Sequence, residues 1–316
     1  MPFHIKATEF HDSLLHQLIK TFSSMRFIKN NLKVAPNSTD EYFKNSANSA
    51  FVGDNTAREH PHSPAHLDSQ IESELNAYVS HSLSSLKNAS LMRRVDSKFL
   101  VPVSLVPSLL RELRQDYTIL ELDGLRSFNY VTTYYDTKQH THYLDHHNGR
   151  LNRFKVRKRT YTDSDISFLE VKFKDNKNCT TKTRIASDEQ IDNLDDESVN
   201  FLSELQVADP TKLQAVQTGT YQRVALANEI IGERLTIDFN LAFKDEINNS
   251  RFLLGPWVVV ELKQHRLNRN SAFFAWAKKN AVRKTSFSKY CMGVYFTGSP
   301  SLKRNNFHKI ARPINQ

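Results

Sequence analysis

Hydrophobic and polar residues alternate along most of the chain beyond residue 91, and a period of two is typical of strands with one buried face. In the segment SFLEVKFK, Val171 and Phe173 fall on one face, whereas Glu170 and Lys172 fall on the other. The preceding RFKVRKRTY alternates in the same way, and the TDSD between the two segments predicts a hairpin turn. About eight such segments occur, which predicts an α+β fold whose eight antiparallel strands close into a barrel with helices packed outside.

Helical spacing of hydrophobic residues interrupts the strand pattern in several places. The helices are predicted over 8–29, 69–87, 104–115, 188–206 and 270–282. Residues 34–68 are rich in Asn, Ser, Ala and Pro, which is typical of a linker or a disordered segment. The segment SFSKYCMGVYF follows the last predicted helix and is read with the strand segments. The pattern divides the chain into an N-terminal region over 1–88, the barrel over 89–298 and a basic tail over 299–316.

The face opposite the hydrophobic one is strongly cationic in nearly every predicted strand. Acids recur there two positions before a lysine, as in Glu170-x-Lys172 and Glu261-x-Lys263, and Asp238 lies on such a face as well. An exposed sheet would usually mix Thr, Ser and Gln among its charges, so we interpret these faces as the lining of a basic tunnel. A solvated outer face is the alternative. The cations are Arg94, Lys98, Lys155, Arg157, Arg159, Lys172, Lys182, Arg184, Arg223 and Lys263.

A tunnel of this kind is suited to phosphate, because arginine binds phosphate through two parallel hydrogen bonds and lysine acts as a point charge. Carboxylates among the cations suit a hard divalent ion, Mg²⁺ or Mn²⁺, that bridges phosphate oxygens. The chain contains 8 Gly residues and no glycine-rich phosphate loop, so side chains rather than backbone amides would hold the anion.

Charge is distributed unevenly along the 316 residues. Residues 1–90 contain 8 Lys and Arg against 9 Asp and Glu, whereas the remainder contains 35 against 25, so the net charge of +9 belongs to the second region. This excess indicates a polyanionic partner, which could be nucleic acid, an anionic membrane or phosphate chains. The only cysteines are Cys179 and Cys291, which suits a reducing compartment. No apolar run approaches the roughly 20 residues of a membrane span, so a cytoplasmic protein is expected.

Eight motifs occur in a recognisable order over residues 91–296: RRVDSKFLVP, YYDT, HNGRLNRFKVRKRTY, FLEVKFK, TYQRVAL, TIDFNLAF, VVVELK and SFSKYCMGV. The series resembles the VTC domain, which is the polyphosphate polymerase branch of the triphosphate tunnel metalloenzymes. The resemblance implies an eight-stranded antiparallel tunnel that holds a divalent metal ion on Glu261. It also implies polyphosphate-binding positions at Lys98, Arg157, Arg159, Lys172, Lys182, Arg223 and Lys289.

Two positions depart from the pattern of this superfamily. Hydrolytic members begin with acid-x-acid-x-Lys, but Arg94 replaces the first acid here, which resembles the polymerase branch. The late Lys-Phe-Ser-Lys stretch reads SFSK, so Ser286 stands where a lysine is expected. Lys284, two residues earlier, is the candidate to replace the missing cation.

The resemblance implies transfer of the γ-phosphate of ATP onto a growing polyphosphate, a phosphotransferase reaction that needs no covalent protein nucleophile. The residues expected to act on the transferred phosphate are Lys98, Arg157, Arg159, Lys172 and Arg223. The residues expected to bind the remaining phosphates are Arg94, Lys155, Lys182, Arg184, Lys263 and Lys289. Glu261 is expected to anchor the metal, with Glu170 and Asp238 as further ligands; for each acid, a salt bridge to a tunnel cation is the alternative.

Two other functions remain open at this stage: hydrolysis of inorganic or nucleoside triphosphate, and non-catalytic binding of polyphosphate or another polyanion. Nucleic acid is not expected, because the aromatic residues fall mostly on the hydrophobic faces rather than among the cations. A membrane protein partner, and with it a peripheral location at the inner face of a membrane, is consistent with the resemblance. The oligomeric state is left open.

Four histidines occur close together in HTHYLDHH, at positions 140, 142, 146 and 147. The pair Asn148-Gly149 that follows predicts a turn, so the histidines are expected at a solvated hairpin tip. His-x-His spacing leaves a transition-metal site as the alternative.

Overall fold

The structure is a computed structural model that describes residues 64–86, 94–177, 179–187 and 194–315. The chain divides into two units, Met1–Ser63 and Pro64–Gln316, and all described residues belong to the second. The helix predicted over 8–29 and most of the predicted linker lie outside the described residues.

The described residues form 12 strands and 7 α-helices. The strands are β1 (Ser80–His81), β2 (Val95–Pro102), β3 (Thr118–Leu120), β4 (Phe128–Asp136), β5 (Arg153–Tyr161), β6 (Ile166–Lys174), β7 (Thr180–Ala186), β8 (Gln214–Asn228), β9 (Glu233–Asp245), β10 (Arg251–Leu253), β11 (Trp257–Gln264) and β12 (Lys284–Thr285). The helices are α1 (Pro64–Asn76), α2 (Val106–Leu113), α3 (Thr141–His147), α4 (Asp196–Glu204), α5 (Ala272–Lys279), α6 (Lys289–Thr297) and α7 (His308–Ala311).

One large sheet dominates the fold, with the strand order β12-β2-β11-β9-β8-β4-β5-β6-β7, and all neighbours in this order are antiparallel. The predicted α+β class is therefore confirmed. The predicted closed barrel is not confirmed, because no backbone pairing joins β12 to β7 in the part of the chain that the structure describes. The reason lies at the two ends: β12 has two residues and pairs with β2 alone, while β7 pairs with β6 alone.

The convex face of the sheet carries the outer core. Its residues are the hydrophobic half of each alternating strand, such as Val224, Ile237 and Val260, all fully buried. Helices α2 and α5 cover this face, with Leu109 of α2 and Trp276 of α5 in the same cluster. Burying one face of each strand in this way leaves the charged half of the pattern on the concave face.

The concave face is covered at one end by α6. Residues of this helix, such as Cys291 and Met292, form a second hydrophobic cluster with Tyr134, Leu241 and Val259 of the sheet, which we call the inner core. The segment SFSKYCMGVYF is predicted as a strand, but the structure makes it helical from Lys289. Residues from Tyr290 to Tyr295 are buried all round the helix, so the segment lacks the one-sided pattern that identifies an amphipathic helix. Phe307 and Ala311, from the predicted basic tail, pack into this inner core.

The histidine-rich segment forms helix α3, so the predicted solvated hairpin tip is wrong. The carboxylate of Asp136, at the end of the preceding strand β4, accepts hydrogen bonds from the backbone N–H groups of His142 and Tyr143, both at 2.9 Å, and so caps the helix. His142 and His147 are buried. No group of three potential metal ligands occurs here or elsewhere in the described ranges.

Helix α1 begins and ends earlier than the predicted helix over 69–87. The guanidinium of Arg126 donates to the backbone carbonyls of Leu75, Asn76 and Tyr78 at 2.8, 3.0 and 3.2 Å, which satisfies the C-terminal end of α1. The chain then turns into β1. None of the described helices is both long and apolar enough to traverse a lipid bilayer.

Candidate functional site

The concave face brings together the cations that the alternating pattern selected. Directly opposed residues of neighbouring strands share a face, and the register opposes Lys155, Lys172 and Lys182 in one row across β5, β6 and β7. In the next row, Glu170 lies between Arg157 and Arg184. We call the space in front of this face the basic cleft. The predicted site residues in it are Lys98, Lys155, Arg157, Arg159, Glu170, Lys172, Lys182, Arg184, Arg223, Asp238, Glu261, Lys263 and Lys289.

Strands from opposite sides of the sheet approach one another across the basic cleft. Lys172 on β6 interacts electrostatically with Glu261 on β11 and Lys98 on β2. Lys155 on β5 likewise interacts with Lys98. The sheet is therefore strongly curved, and its cations surround a common space although no backbone pairing closes it.

Each carboxylate in the cleft holds two cations. Glu170, which is fully buried, accepts from Nε and Nη2 of Arg157 at 2.8 and 2.6 Å and forms an ion pair with Lys182. The other two acids repeat this arrangement. Asp238 accepts from Arg223 at 2.6 and 2.9 Å and pairs with Lys289, while Glu261 pairs with Lys98 and, at 3.3 Å, with Lys263. The acids therefore fix the positions of the cations in the cleft.

Four further cations, Lys155, Arg159, Lys172 and Arg184, form no ion pair with a carboxylate among the described residues. Lys155 donates to the hydroxyl of Ser288 at 3.0 Å, and Arg184 lies 4.3 Å from the ring centroid of Phe168. These groups leave the cleft with a large excess of positive charge, which an anion would neutralise.

The charge excess perturbs the titration of the cleft residues. Burial alone would raise the pKa of Glu261, but Lys263 and Lys98 outweigh it and hold that pKa well below its usual range. Arg157, together with burial, holds the pKa of Lys172 well below that of a free lysine. Burial lowers the pKa of Lys182 to about 8, although Glu170 partly opposes the shift. The cleft therefore disfavours positive charge when it holds no anion.

Aromatic rings are interleaved with the cations, against the expectation that they lie on the hydrophobic faces. Tyr130 and Tyr221 stack with ring centroids 5.1 Å apart, and the guanidinium of Arg223 lies 5.3 Å from both rings. Arg159 lies 5.6 Å from Tyr130. One signal for this arrangement is local, since Tyr221 precedes Arg223 by two residues and so shares its face.

Two further arginines lie at the rim. Arg234, which is not among the predicted site residues, opposes Lys263 in the register and therefore faces the cleft. Its position four residues before Asp238 on β9 is the sequence signal for this placement. Burial, with a smaller contribution from Arg94, lowers the pKa of Arg234. Arg94 itself is part-exposed and pairs with Asp96 at 3.0 Å. Arg94 and Arg234 thus extend the cation series to the edge of the sheet.

Lys284 does not replace the cation that is missing at Ser286. Lys284 opposes Phe99 in the pairing of β12 with β2, and Phe99 belongs to the outer core. The side chain of Lys284 is therefore exposed on the side of the sheet away from the cleft. Lys289, the second lysine of that stretch, reaches Asp238 from the head of α6, so the cation missing at Ser286 is not replaced by Lys284.

One protein-family model covers the residues that form the cleft. The model of the VTC domain matches residues 93–297, more than half of the chain. The chain belongs to the VTC domain family. A VTC domain with this cleft supports a function on polyphosphate or triphosphate, and the structure places the motif-derived cations of the family on one concave face.

Solved structures similar to this VTC domain are distant in sequence. An adenylate cyclase candidate from Bacillus halodurans is 14% identical, with 62% of this chain and 93% of that chain covered and a TM-score of 0.42. An adenylyl cyclase candidate from Hippeastrum, described as having a dominant triphosphatase activity, is 13% identical, with 66% and 97% covered and a TM-score of 0.42. No curated protein matches the chain.

The pKa of Lys182 predicts how anion binding depends on pH. With a pKa of about 8, Lys182 is charged at pH 7 and largely neutral at pH 9 in the free protein, so raising the pH removes a cation from the cleft. The affinity for polyphosphate should fall by about five- to tenfold over this interval, as expected for one group that must take up a proton on binding. Isothermal titration calorimetry at pH 7 and pH 9 measures it. In Lys182→Arg the decline should become smaller, and an equal decline in that variant would assign it to another cleft lysine, such as Lys172, whose pKa is also lowered.

Proposed function

We propose that the VTC domain transfers the γ-phosphate of ATP onto a polyphosphate chain held in the basic cleft. The observation that carries the proposal is the arrangement of Arg157, Arg223 and Lys98, which carboxylates hold in place, beside cations that have no carboxylate partner. Such a site binds successive phosphates through side chains alone, and it aligns donor and acceptor phosphates while neutralising the charge that develops between them. A phosphoryl transfer by this route needs no covalent nucleophile.

The residues of the cleft divide into two roles. Arg157, Arg159, Lys172 and Arg223, with Lys98, each interact with one of the three cleft carboxylates and would stabilise the transferred phosphate. The remaining cations would hold the rest of the chain: Arg94, Lys155, Lys182, Arg184, Lys263 and Lys289.

Glu261 fits a divalent metal ion better than the other two acids. Its oxygens contact the flexible side chains of Lys98 and Lys263, which can move away when phosphate enters. Mg²⁺ and Mn²⁺ are commonly held by one or two carboxylates and completed by phosphate oxygens and water, so a single glutamate suffices. When bound there, the ion would neutralise charge on the transferred phosphate.

Glu170 and Asp238 fit a positioning role better than metal binding. Glu170 is fully buried, and its two oxygens are engaged by Arg157 and Lys182. Asp238 is equally buried and binds Arg223 through both oxygens. Each acid therefore holds a guanidinium group in the orientation from which it can bind phosphate.

Hydrolysis of a triphosphate is the second candidate function, and the unclosed sheet favours it. Lys182 lies on the edge strand β7 and Lys98 lies next to β12, and their side chains remain 34% and 32% exposed. Water can therefore reach the cleft from this side. With water instead of the polyphosphate chain as the acceptor of the phosphoryl group, the transferase would act as a phosphatase.

Incubating the purified protein with ATP and Mn²⁺ tests the proposal. Long polyphosphate chains together with an equal amount of ADP per transferred phosphate are expected, and Arg157→Ala should abolish both. Release of free phosphate without chains would support the second candidate instead. Absence of turnover, with tight binding of added polyphosphate, would overturn both and leave a binding module.

A further inference from the structure

The charged face of β5 and β6 becomes aromatic toward one end of the basic cleft. On β5, Tyr161 follows Arg159 on this face, and Phe168 of β6 lies directly opposite Arg159. Tyr161 in turn lies opposite Tyr130 of β4. This end of the strands points away from α6, whose first turn meets β5 at Lys155. We call Tyr130, Tyr161 and Phe168 the aromatic mouth.

The three rings of the aromatic mouth differ in how much of their surface is already covered. Tyr130 stacks on Tyr221, and the guanidinium of Arg184 lies over Phe168, 4.3 Å from its centroid. Tyr161 meets Tyr130 and Phe168 at interplanar angles of 56° and 90°, with centroids 5.0 and 6.1 Å apart, so neither ring lies flat on it. Tyr161 is also partly exposed. Its neighbours therefore hold the ring in one orientation while a ligand can still reach it.

The aromatic mouth adjoins the cations that would bind the transferred phosphate. Arg159 and Arg223 lie 5.6 and 5.3 Å from the ring centroid of Tyr130. From Arg157 to Tyr161 the strand advances by about 14 Å, at the usual rise per residue. A ligand whose terminal phosphate lies beside Arg157 can therefore extend through two further phosphates and a sugar before it reaches the ring of Tyr161. A flat ring system joined in this way to a triphosphate is a nucleoside triphosphate.

We propose that the aromatic mouth binds the nucleobase of the phosphate donor, which stacks on the ring of Tyr161 while its phosphates lie among the cleft cations. This inference rests on the proposed function, because it takes the γ-phosphate of the donor to lie beside Arg157 and Arg159. Arg184 keeps its role toward a phosphate that is not transferred, and it lies where phosphates and rings meet. Stacking accepts any base, because every base presents a π-face, so the mouth selects nucleotides as a class.

Inorganic tripolyphosphate is the ligand that isolates the contribution of the base. It has one ionisable oxygen more than ATP, so charge alone favours it in a cationic cleft. Any part of the affinity that ATP gains from the aromatic mouth is absent in tripolyphosphate. A change at Tyr161 should therefore act on one ligand and spare the other.

Tyr161→Ala is expected to weaken ATP binding by about tenfold, which corresponds to about 1.4 kcal/mol and lies within the range for loss of one base–aromatic stack. The affinity for tripolyphosphate should stay within about twofold of that of the unchanged protein, which also shows that the variant is folded. Calorimetry without divalent metal ions, which prevents turnover, measures both affinities. An equal loss for the two ligands would overturn the proposal, because Tyr161 would then only support the cleft.

Two further variants connect the effect to the ring. Tyr161→Phe retains a π-face and should retain most of the affinity for ATP; a loss as large as that of Tyr161→Ala would assign the effect to the hydroxyl and contradict stacking. Phe252→Ala removes a half-buried ring that stacks on Phe296 in the inner core, outside the cleft. It should leave the ratio of the affinities for ATP and tripolyphosphate unchanged.

Fluorescence gives an independent measurement of stacking. The emission of 2-aminopurine riboside triphosphate falls when its base stacks on an aromatic ring. Its emission should therefore decrease when the nucleotide binds to the unchanged protein, and it should decrease much less at saturation of Tyr161→Ala. Binding without any change in emission would contradict the proposal.

The outcomes separate this inference from the function on which it rests. If the protein forms polyphosphate but Tyr161→Ala affects ATP and tripolyphosphate equally, base recognition fails alone. If the protein forms no chains but Tyr161→Ala weakens ATP selectively, the nucleotide site stands and the polymerase activity fails. If neither ATP nor tripolyphosphate binds, both are overturned.

Discussion

Replacing Glu261 by glutamine is expected to lower ATP turnover by about 100-fold while polyphosphate binding is retained or strengthened. The carboxylate is the proposed metal anchor, so its loss removes a charge that stabilises the transferred phosphate. The same change removes an anion from a cleft that binds anions, and it frees Lys98 and Lys263 from their ion pairs. Steady-state kinetics with Mn²⁺, combined with calorimetry of polyphosphate binding, measures the two effects separately.

Asp96→Asn is the matched control for this prediction. Asp96 is an acid on the neighbouring strand β2 that pairs with Arg94 at the part-exposed rim and opposes Lys263 rather than Glu261 in the register. Its neutralisation should change turnover by less than about threefold, because a part-exposed ion pair contributes little. If Glu261→Gln lost affinity for polyphosphate in proportion to its turnover, the carboxylate would be organising the cations rather than anchoring a metal.

Glu170→Gln is expected to lower the free energy of unfolding by about 3 kcal/mol, because removing one partner of a buried ion pair leaves the others without compensation. Arg157 is 9% exposed, and both it and Lys182 would lose their carboxylate while remaining close to Lys172 and Arg159. Chemical denaturation followed by circular dichroism measures the loss. Added polyphosphate should restore part of the stability, since it supplies the missing negative charge.

A control for this second prediction is Glu112→Gln, which breaks the exposed pair between α2 and α5. Glu112 contacts Lys279 at 2.9 Å, and both side chains are largely exposed, so less than about 1 kcal/mol is expected. Glu170→Gln also tests the alternative role of Glu170 as a metal ligand. In that case Glu170→Gln would raise the Mn²⁺ concentration needed for activity and leave the unfolding free energy nearly unchanged.

The strands and their faces could be predicted from the sequence because their signal is local. The predicted hairpin is confirmed, since β5 and β6 pair from Arg153 opposite Lys174 to Tyr161 opposite Ile166. The predicted division of β6 into a hydrophobic and a charged face is also confirmed, with Val171 in the core against α4 and Glu170 facing the cleft. A period of two is enough to determine this, because a strand buried on one side shows its environment in its own residues.

The helices α3 and α6 could not be predicted, because the contact that begins α3 lies outside the helix's own residues and α6 leaves no periodic signal. Helix α3 begins where Asp136, at the end of β4, accepts from its backbone N–H groups, against a local sequence that favours a turn. Helix α6 is buried on all sides, so hydrophobic residues occupy every position and no amphipathic pattern remains. The expected closure of the sheet depended on pairing between its two end strands, about which no single strand carries information.

The candidate site was predictable as a set of residue types and not as a set of contacts. The alternation selected the cations and the three acids, but their pairing depends on the register and on the position of α6. Asp238, for example, binds Arg223 from the opposing strand and Lys289 from α6, which lies 51 residues away in the sequence. The interleaved rings of Tyr130 and Tyr221 depended in the same way on the register of β4 with β8.

The unit that folds is longer than the unit that family comparison recognises. The family match ends at residue 297, yet the ring of Phe307 lies 5.7 Å from that of Tyr143 and 5.3 Å from that of His147, and Ala311 is fully buried. A recombinant fragment that ends at residue 297 would therefore expose a hydrophobic surface beneath α3 and α6 and tend to precipitate. Fragments meant for crystallisation or enzymology should extend beyond Ala311.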